Sequence, residues 1–149
     1  MALSIAIVGA TGAVGEALIS ILEEREFPLE TLYPLASSRS VGKRLEFREE
    51  SLKVGDLSTF DFSQVQIAFF SAGGAVSAEY APRAAEAGCI VIDNTAHFRY
   101  DDDIPLVVPE VNPEAISGYL NRNIIANPNC STIQMVVALK PIHDAVGVE

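Results

Sequence analysis

The sequence predicts an α/β fold around a mostly parallel sheet, and three observations predict it. Compact apolar runs such as Leu3-Ser4-Ile5-Ala6-Ile7-Val8 and Gln66-Ile67-Ala68-Phe69-Phe70 suit strands buried on both faces. Segments with apolar residues at helical spacing separate these runs, and such alternation implies right-handed parallel crossovers. Turns of small residues follow the strands, where a doubly wound sheet receives its ligand.

The first strand, residues 3–8, runs straight into Gly9-Ala10-Thr11-Gly12-Ala13-Val14-Gly15. Val14, Ala17, Leu18, Ile21 and Leu22 then recur at helical spacing. A glycine turn between strand and helix lets backbone approach a phosphate, whose charge the helix N-terminus attracts. The spacing is G-x-x-G-x-x-G rather than G-x-G-x-x-G, and such turns also serve close strand–helix packing. Its place near the N-terminus favours the dinucleotide reading. Thr31-Leu32-Tyr33-Pro34-Leu35-Ala36 is the second strand. Where an NAD-specific fold often carries an acid for the ribose hydroxyls, this chain has Ser37-Ser38-Arg39-Ser40. Hydroxyls and a guanidinium suit a 2′-phosphate, so the loop favours NADP over NAD; its other reading is a solvated polar turn.

Residues 41–57 contain two short pieces, Arg44-Leu45-Glu46-Phe47 and Ser51-Leu52-Lys53-Val54, that predict a small antiparallel excursion. The strand at 66–70 ends in Ser71-Ala72-Gly73-Gly74, a ligand-side turn. An Ala-rich helix over 76–87 stops at Gly88, and a strand over 89–93 follows. Asn94 to Tyr100 leaves as a loop, and Asp101-Asp102-Asp103 reads as a solvated acidic turn. Leu106-Val107-Val108 predicts a short strand. Asn112 and Pro113 predict an N-cap and first position of a helix. Asn123-Ile124-Ile125-Ala126 is the last strand, and residues 133–139 predict a helix capped by Asn129 or Ser131.

The chain has 149 residues and is 49% hydrophobic, which suits one domain with an ample core. Ten basic against twenty acidic residues leave a net charge of −10. That argues against nucleic acid or an anionic membrane as partner, and leaves room for a small anion held by local groups. Cys89 and Cys130 form no disulfide framework, and without CxxC or a Cys/His cluster no metal site is expected. No basic leader and no apolar segment of roughly 18 residues is present, so a cytoplasmic protein is expected. The run Lys140-Pro141-Ile142-His143-Asp144-Ala145-Val146-Gly147-Val148-Glu149 has no closing element, so a cut chain is expected.

Asn127-Pro128-Asn129-Cys130-Ser131-Thr132 joins the last strand to the last helix. Cys130 is thus expected at a helix N-terminus, where free N–H groups and positive partial charge favour a thiolate. The same N–H groups can hold the oxygen of an attacked carbonyl as it gains charge. The position fits a nucleophile or a small core residue, whereas Cys89, at a buried strand, reads as core. The loops at 9–15, 71–74 and 127–130 all leave strand carboxyl ends and are expected to converge. A cofactor and a thiolate on one rim suggest oxidation or reduction at a carbonyl carbon.

The ordered segments carry a resemblance. These are Gly9 to Gly15, Ser71-Ala72-Gly73-Gly74, Asp93-Asn94-Thr95 with Phe98-Arg99, Val108-Pro109-Glu110-Val111-Asn112, and Asn127 to Gln134. Together they resemble the N-terminal half of the aspartate-β-semialdehyde dehydrogenase family over nearly the whole chain. The resemblance implies a Rossmann-like, doubly wound domain in an NADP-dependent oxidoreductase. That enzyme reduces L-aspartyl-4-phosphate to L-aspartate-4-semialdehyde on the way to lysine, threonine and methionine, as a homodimer or homotetramer. It implies Cys130 as the nucleophile that forms a thioester. It implies Arg99, assisted by Asn94, on the substrate phosphate. Thr11, Gly12, Ala13 and Val14 would line the NADP phosphates. Ser38 and Arg39 would meet the 2′-phosphate, and Ser71, Ala72 and Gly73 would pass beside the ribose and nicotinamide.

The family's second, α+β catalytic and dimerisation domain is missing from the sequence, and with it an acid/base His and an Arg for the substrate carboxylate. His97 and His143 do not stand in matching motifs. The expected division is an NADP-binding domain at 1–133 and the start of the second domain at 134–149. The chain alone is therefore expected to be inactive. N-acetyl-γ-glutamyl-phosphate reductase shares the chemistry, but its segment reads Pro-Gly-Cys where this chain has Pro128-Asn129-Cys130. A glyceraldehyde-3-phosphate dehydrogenase would show G-x-G-x-x-G and an acid after the second strand. A non-catalytic NADP-binding fragment is the reading from another class; a binding module would be free to lose Cys130 or Arg99, and both are present.

Overall fold

The computed structural model describes residues 3–148. Among them are the strands β1 (Leu3–Val8), β2 (Leu29–Ala36), β3 (Arg44–Phe47), β4 (Glu50–Lys53), β5 (Gly55–Asp56), β6 (Ile67–Phe70), β7 (Ile90–Asp93) and β8 (Ile124–Ala126). The α-helices are α1 (Ala13–Glu24), α2 (Gly74–Glu86) and α3 (Cys130–Val146). Six strands form one sheet in the order β5-β2-β1-β6-β7-β8, and every pairing in it is parallel. This is the Rossmann-like, doubly wound arrangement: the chain winds outward from β1 to one edge, returns, and winds to the other.

β1 shows why its sequence does not alternate. Ile5 and Ile7 pack with Ile19 and Leu22 of α1, while Ala6 and Val8 face the cluster holding Ala81, Ala84 and Ala85 of α2. Both faces are covered, so four successive residues, Ile5 to Val8, are at most 1% exposed. Burial of each large aliphatic side chain stabilises by about 1.5–3 kcal/mol. Ile7→Ala would cost about 2–5 kcal/mol, because it leaves a cavity under α1.

The antiparallel excursion forms as expected, with β3 paired to β4. Its two-residue turn places Arg48 (φ 50°) and Glu49 (φ 65°) in the left-handed region, which costs non-glycine residues energy. Arg48 offsets that cost by anchoring the hairpin. Its backbone N donates to Glu23 Oε1 at 2.8 Å, and its guanidinium donates to the Phe27 carbonyl. Phe47, Leu45 and Leu52 then extend the core on the α1 face. Gly88 (φ +89°) follows the end of α2, as a glycine just past a helix does.

Four expectations are corrected. Residues 106–108 form only one bridge, Leu106 to Ala126, rather than a strand. The next donor is diverted, since Val108 N bonds Asn112 Oδ1 at 2.8 Å, and Pro109 has no N–H to offer. The segment after Asn112 is a 3-10 helix, Pro113–Asn121, and Asn112 does not cap it by its side chain. That side chain is spent on Val108 N and the Leu106 carbonyl. The acidic turn is not merely solvated: Arg122 pairs with Asp101 at 3.5 Å and Asp103 at 3.4 Å. Such exposed pairs contribute only about 0–1 kcal/mol. Finally, α3 extends well past 139, through Pro141, to Val146.

Candidate functional site

The sheet's winding reverses between β1 and β6, and the turns after these two strands touch. Gly9 N and Ala10 N both donate to the Leu35 carbonyl, at 2.9 and 3.2 Å. Gly9 has φ +92°, and a Cβ there would sit 2.9 Å from Ser71 Oγ. A Cβ on Gly15 would sit 2.4 Å from the Gly9 carbonyl oxygen. Both glycines are therefore demanded by close approach. Ser71 donates to the Val8 carbonyl from both N (2.9 Å) and Oγ (3.1 Å), pinning the second turn. Gly12 occupies the N-cap of α1 without a side-chain bond, so the first-turn donors keep no side-chain partner.

A cleft of about 390 Å³ lies here. Of the residues the sequence pointed to, Thr11, Gly12, Arg39, Ser71 and Ala72 line it. Ala13, Val14, Ser38 and Gly73 are exposed beside it without lining it. Gly9, Ser37, Ser40, Leu57 and Val76 complete much of the wall. Ser40 belongs because its Oγ lies 3.5 Å from Thr11 Oγ1, closing the second-strand loop against the glycine turn. Among the described residues no acid lines the cleft.

A second cluster forms at the ends of β7 and β8. Asp93, the last residue of β7, is fully buried. Its carboxylate accepts from Ser77 Oγ at 2.7 Å, Thr95 N at 3.1 Å and Thr95 Oγ1 at 2.8 Å. Asn127 N donates to the Asp93 carbonyl at 2.8 Å, and Asn127 Nδ2 donates to Asn94 Oδ1 at 2.6 Å. Half-buried Arg99 donates from Nε to the Asn127 carbonyl (2.9 Å) and from Nη2 to the Asn94 carbonyl (3.1 Å). Those bonds engage one side of the guanidinium, and Nη1 makes none among the described residues. Asn94 and Arg99 are thus brought together with the segment before Cys130. Asp93, Ser77 and Asn127 are the members the sequence reading left without roles. Asp93 and Asn127 stood in quoted segments without a role, and a signal for Asp93 was available in the Asp-Asn-Thr spacing, which suits an Asx-type turn; nothing local pointed to Ser77.

Asn129 is the cap of α3: its Oδ1 accepts from Ser131 N at 2.9 Å. Cys130 is the first helical residue and is exposed. Cys89 is fully buried, and burial pushes its thiol up to about 12. Exposed His97 lies edge-on to Phe98, with ring centroids 4.5 Å apart. His143 sits near the far end of α3, thirteen positions and about 20 Å along the axis from Cys130. Among the described residues no group of three or more His, Cys, Asp or Glu is placed to hold a metal ion. No helix among them is long and apolar enough to cross a membrane.

Comparison with known proteins places this geometry. The family described as semialdehyde dehydrogenase, NAD binding domain, matches residues 4–119. The aspartate-semialdehyde dehydrogenase of Legionella pneumophila is 67% identical over 98% of this chain and 42% of its own. A solved structure of aspartate semialdehyde dehydrogenase II from Vibrio cholerae, complexed with ASA, superposes with a TM-score of 0.98 at 65% identity. The superposition covers all of this chain and 49% of that one. The Candida albicans enzyme, solved with NADP, superposes at 0.85 with 29% identity, over 99% of this chain and 48% of its own. This chain thus spans somewhat under half the length of these relatives. The switch-point cleft, the ordered motifs and the family match lead to one conclusion: the chain belongs to the aspartate-semialdehyde dehydrogenase family of oxidoreductases and carries its NAD-binding domain.

Proposed function

We propose that this chain is the NADP-binding, nucleophile-bearing part of an enzyme that reduces L-aspartyl-4-phosphate to L-aspartate-4-semialdehyde, in the pathway to lysine, threonine and methionine. The observation that carries the reading is Cys130. It is an exposed thiol on the first turn of α3, on the same rim of a parallel sheet as the glycine cleft. It also lies three residues after the asparagine that holds the Arg99 loop.

The cleft suits a dinucleotide. It is bordered by a glycine turn in which Gly9 and Gly15 admit no Cβ, by a helix start without a side-chain cap, and by a wall with Arg39 and, among the described residues, no acid. Thr11, Gly12, Ala13 and Val14 would hold the pyrophosphate, and Ser38 and Arg39 the 2′-phosphate. Ser71, Ala72 and Gly73 would flank the ribose and nicotinamide. When bound, NADPH supplies the hydride that takes the acyl group to the aldehyde level.

Cys130 supplies the covalent step. Its thiolate attacks the acyl carbon, a C–S bond forms, the C–O bond to phosphate breaks, and phosphate leaves. Arg99 receives that phosphate with its unengaged face, beside Asn94. The backbone N–H groups at the start of α3 stabilise charge on the carbonyl oxygen as it develops. Release of the semialdehyde from the hemithioacetal needs proton transfer at that oxygen. Neither His of this chain is built into the site, so the acid/base and the carboxylate-binding Arg belong to the second domain. The NADP-binding unit is residues 1–133, and 134–149 opens the second. α3 has no buried residue along its length, which suits a helix that the second domain covers. The complete enzyme is a cytoplasmic homodimer or homotetramer acting on a small-molecule substrate.

The reading is tested by Cys130→Ala in a protein extended to the length of its relatives. Turnover should vanish while NADP affinity stays within about twofold, because the thiol is spent on chemistry rather than on the cleft. Residual turnover at more than a few per cent would remove the covalent role.

A further inference from the structure

The loop that carries Arg99 is held at its start by a buried carboxylate that has no part in the steps above. Asp93 has no exposed surface, and its three bonds are all donated to it, two from Thr95 and one from Ser77. Ser77 lies in the second turn of α2, and Thr95 sits in the loop that runs to Arg99. The backbone of Asp93 holds the other side of the site, because its carbonyl accepts from Asn127 N. The two carbonyls that orient the Arg99 guanidinium belong to Asn94 and Asn127. Each of them adjoins or bonds directly to Asp93.

From this we infer that Asp93 is a positioning residue for the phosphate-binding Arg99, holding the 94–99 loop against α2 so that the guanidinium's unengaged face is presented to the anion. The inference rests on the proposed role of Arg99. A buried anion is a costly device for a turn that a neutral residue could also make. Here each donor that satisfies it comes from a segment that must stay fixed: the helix beside the cleft and the loop that carries Arg99. Charge-assisted bonds of this kind are stronger and shorter than neutral ones. Loss of one leaves its buried partner unsatisfied, so the effect at Arg99 exceeds that of an exposed bond.

The test uses the 149-residue chain, with inorganic phosphate as probe and the Arg99 Nε–H resonance as a local signature. That proton donates to the Asn127 carbonyl and reports whether the guanidinium is held. In Asp93→Asn the resonance should broaden or exchange faster, and phosphate affinity should fall about tenfold, the equivalent of one charged bond. NADP affinity should stay within about twofold. If Asp93→Asn does not fold, Thr95→Val removes one donor at constant shape and should weaken phosphate several-fold, by about the worth of a single bond. Thr95→Ser restores the hydroxyl and should recover the wild-type value, which a merely space-filling role would not produce. An unchanged Arg99 signature in folded Asp93→Asn, or in Thr95→Val, overturns the inference. Absence of phosphate binding in the wild type, with Arg99 still held through Asp93, instead refutes the anion role of Arg99.

Discussion

Burial separates the two thiols. Cys89 is enclosed just before β7, where burial pushes its thiol up to about 12, and Cys130 stands exposed at the start of α3. Reactivity follows thiolate fraction and access. Alkylation near neutral pH, read by peptide mass, should therefore label Cys130 at least about tenfold faster than Cys89. Preferential labelling of Cys89 would contradict the site. Arg39 makes the second residue-scale prediction. It lines the cleft with Ser37 and Ser40 and, among the described residues, no acid, so NADP should bind more tightly than NAD in calorimetry. Arg39→Ala should weaken NADP by about 10–100-fold, the loss of a charged bond, and leave NAD nearly unchanged. Equal affinities before and after the change would remove the 2′-phosphate role. The placement of Cys130 at a helix start, of Arg39 on the cleft and of Arg99 beside Asn94 was legible because each stands in a short local motif. The hydrogen bonds around Asp93 were not, because its Ser77 partner is 16 residues away and Asn127 reaches Asn94 across 33.

At the scale of elements, turns carried more information than helix ends. The run Gly9 to Gly15 announced a strand–turn–helix, and the structure shows why two of its glycines admit no side chain. Gly15→Ala would drive a methyl into backbone at 2.4 Å, where no flexible side chain can yield. It should cost about 1–3 kcal/mol or more, as overpacking does, and weaken dinucleotide binding by opening the turn. A thermal midpoint and NADP affinity both at the wild-type value would show that the turn is looser than drawn. The failures were at 106–108 and 112–121. A side chain, Asn112, took the donor that a strand needed, and the segment after it settled into 3-10 geometry. Such a competition is invisible to periodicity, because it turns on a single hydrogen bond across four residues. The length of α3 was also missed. Its exposed apolar positions, Met135 and Ile142 among them, gave no one-sided pattern against this domain's core.

For the whole molecule, the parallel winding followed from strands that are apolar on both faces, a property each strand carries by itself. What did not follow was β5 itself, a two-residue strand added beside β2 after the expected β3–β4 excursion. Between β2 and β5 the β3–β4 hairpin replaces a crossover helix and packs on the α1 face. The parallel pairing sets the glycine cleft, the Arg99 loop and Cys130 on one rim. If Cys130 is the nucleophile, the acyl group of the substrate passes through its sulfur and can be trapped there. The direct measurement supplies L-aspartate-4-semialdehyde and NADP to the full-length protein without phosphate, quenches in acid, and maps adducts by peptide mass. An aspartyl thioester should appear on the peptide holding Cys130, be absent from Cys130→Ala and be discharged when phosphate is added before the quench. Turnover that persists in Cys130→Ala, or an adduct carried by any other residue, would contradict that role of Cys130.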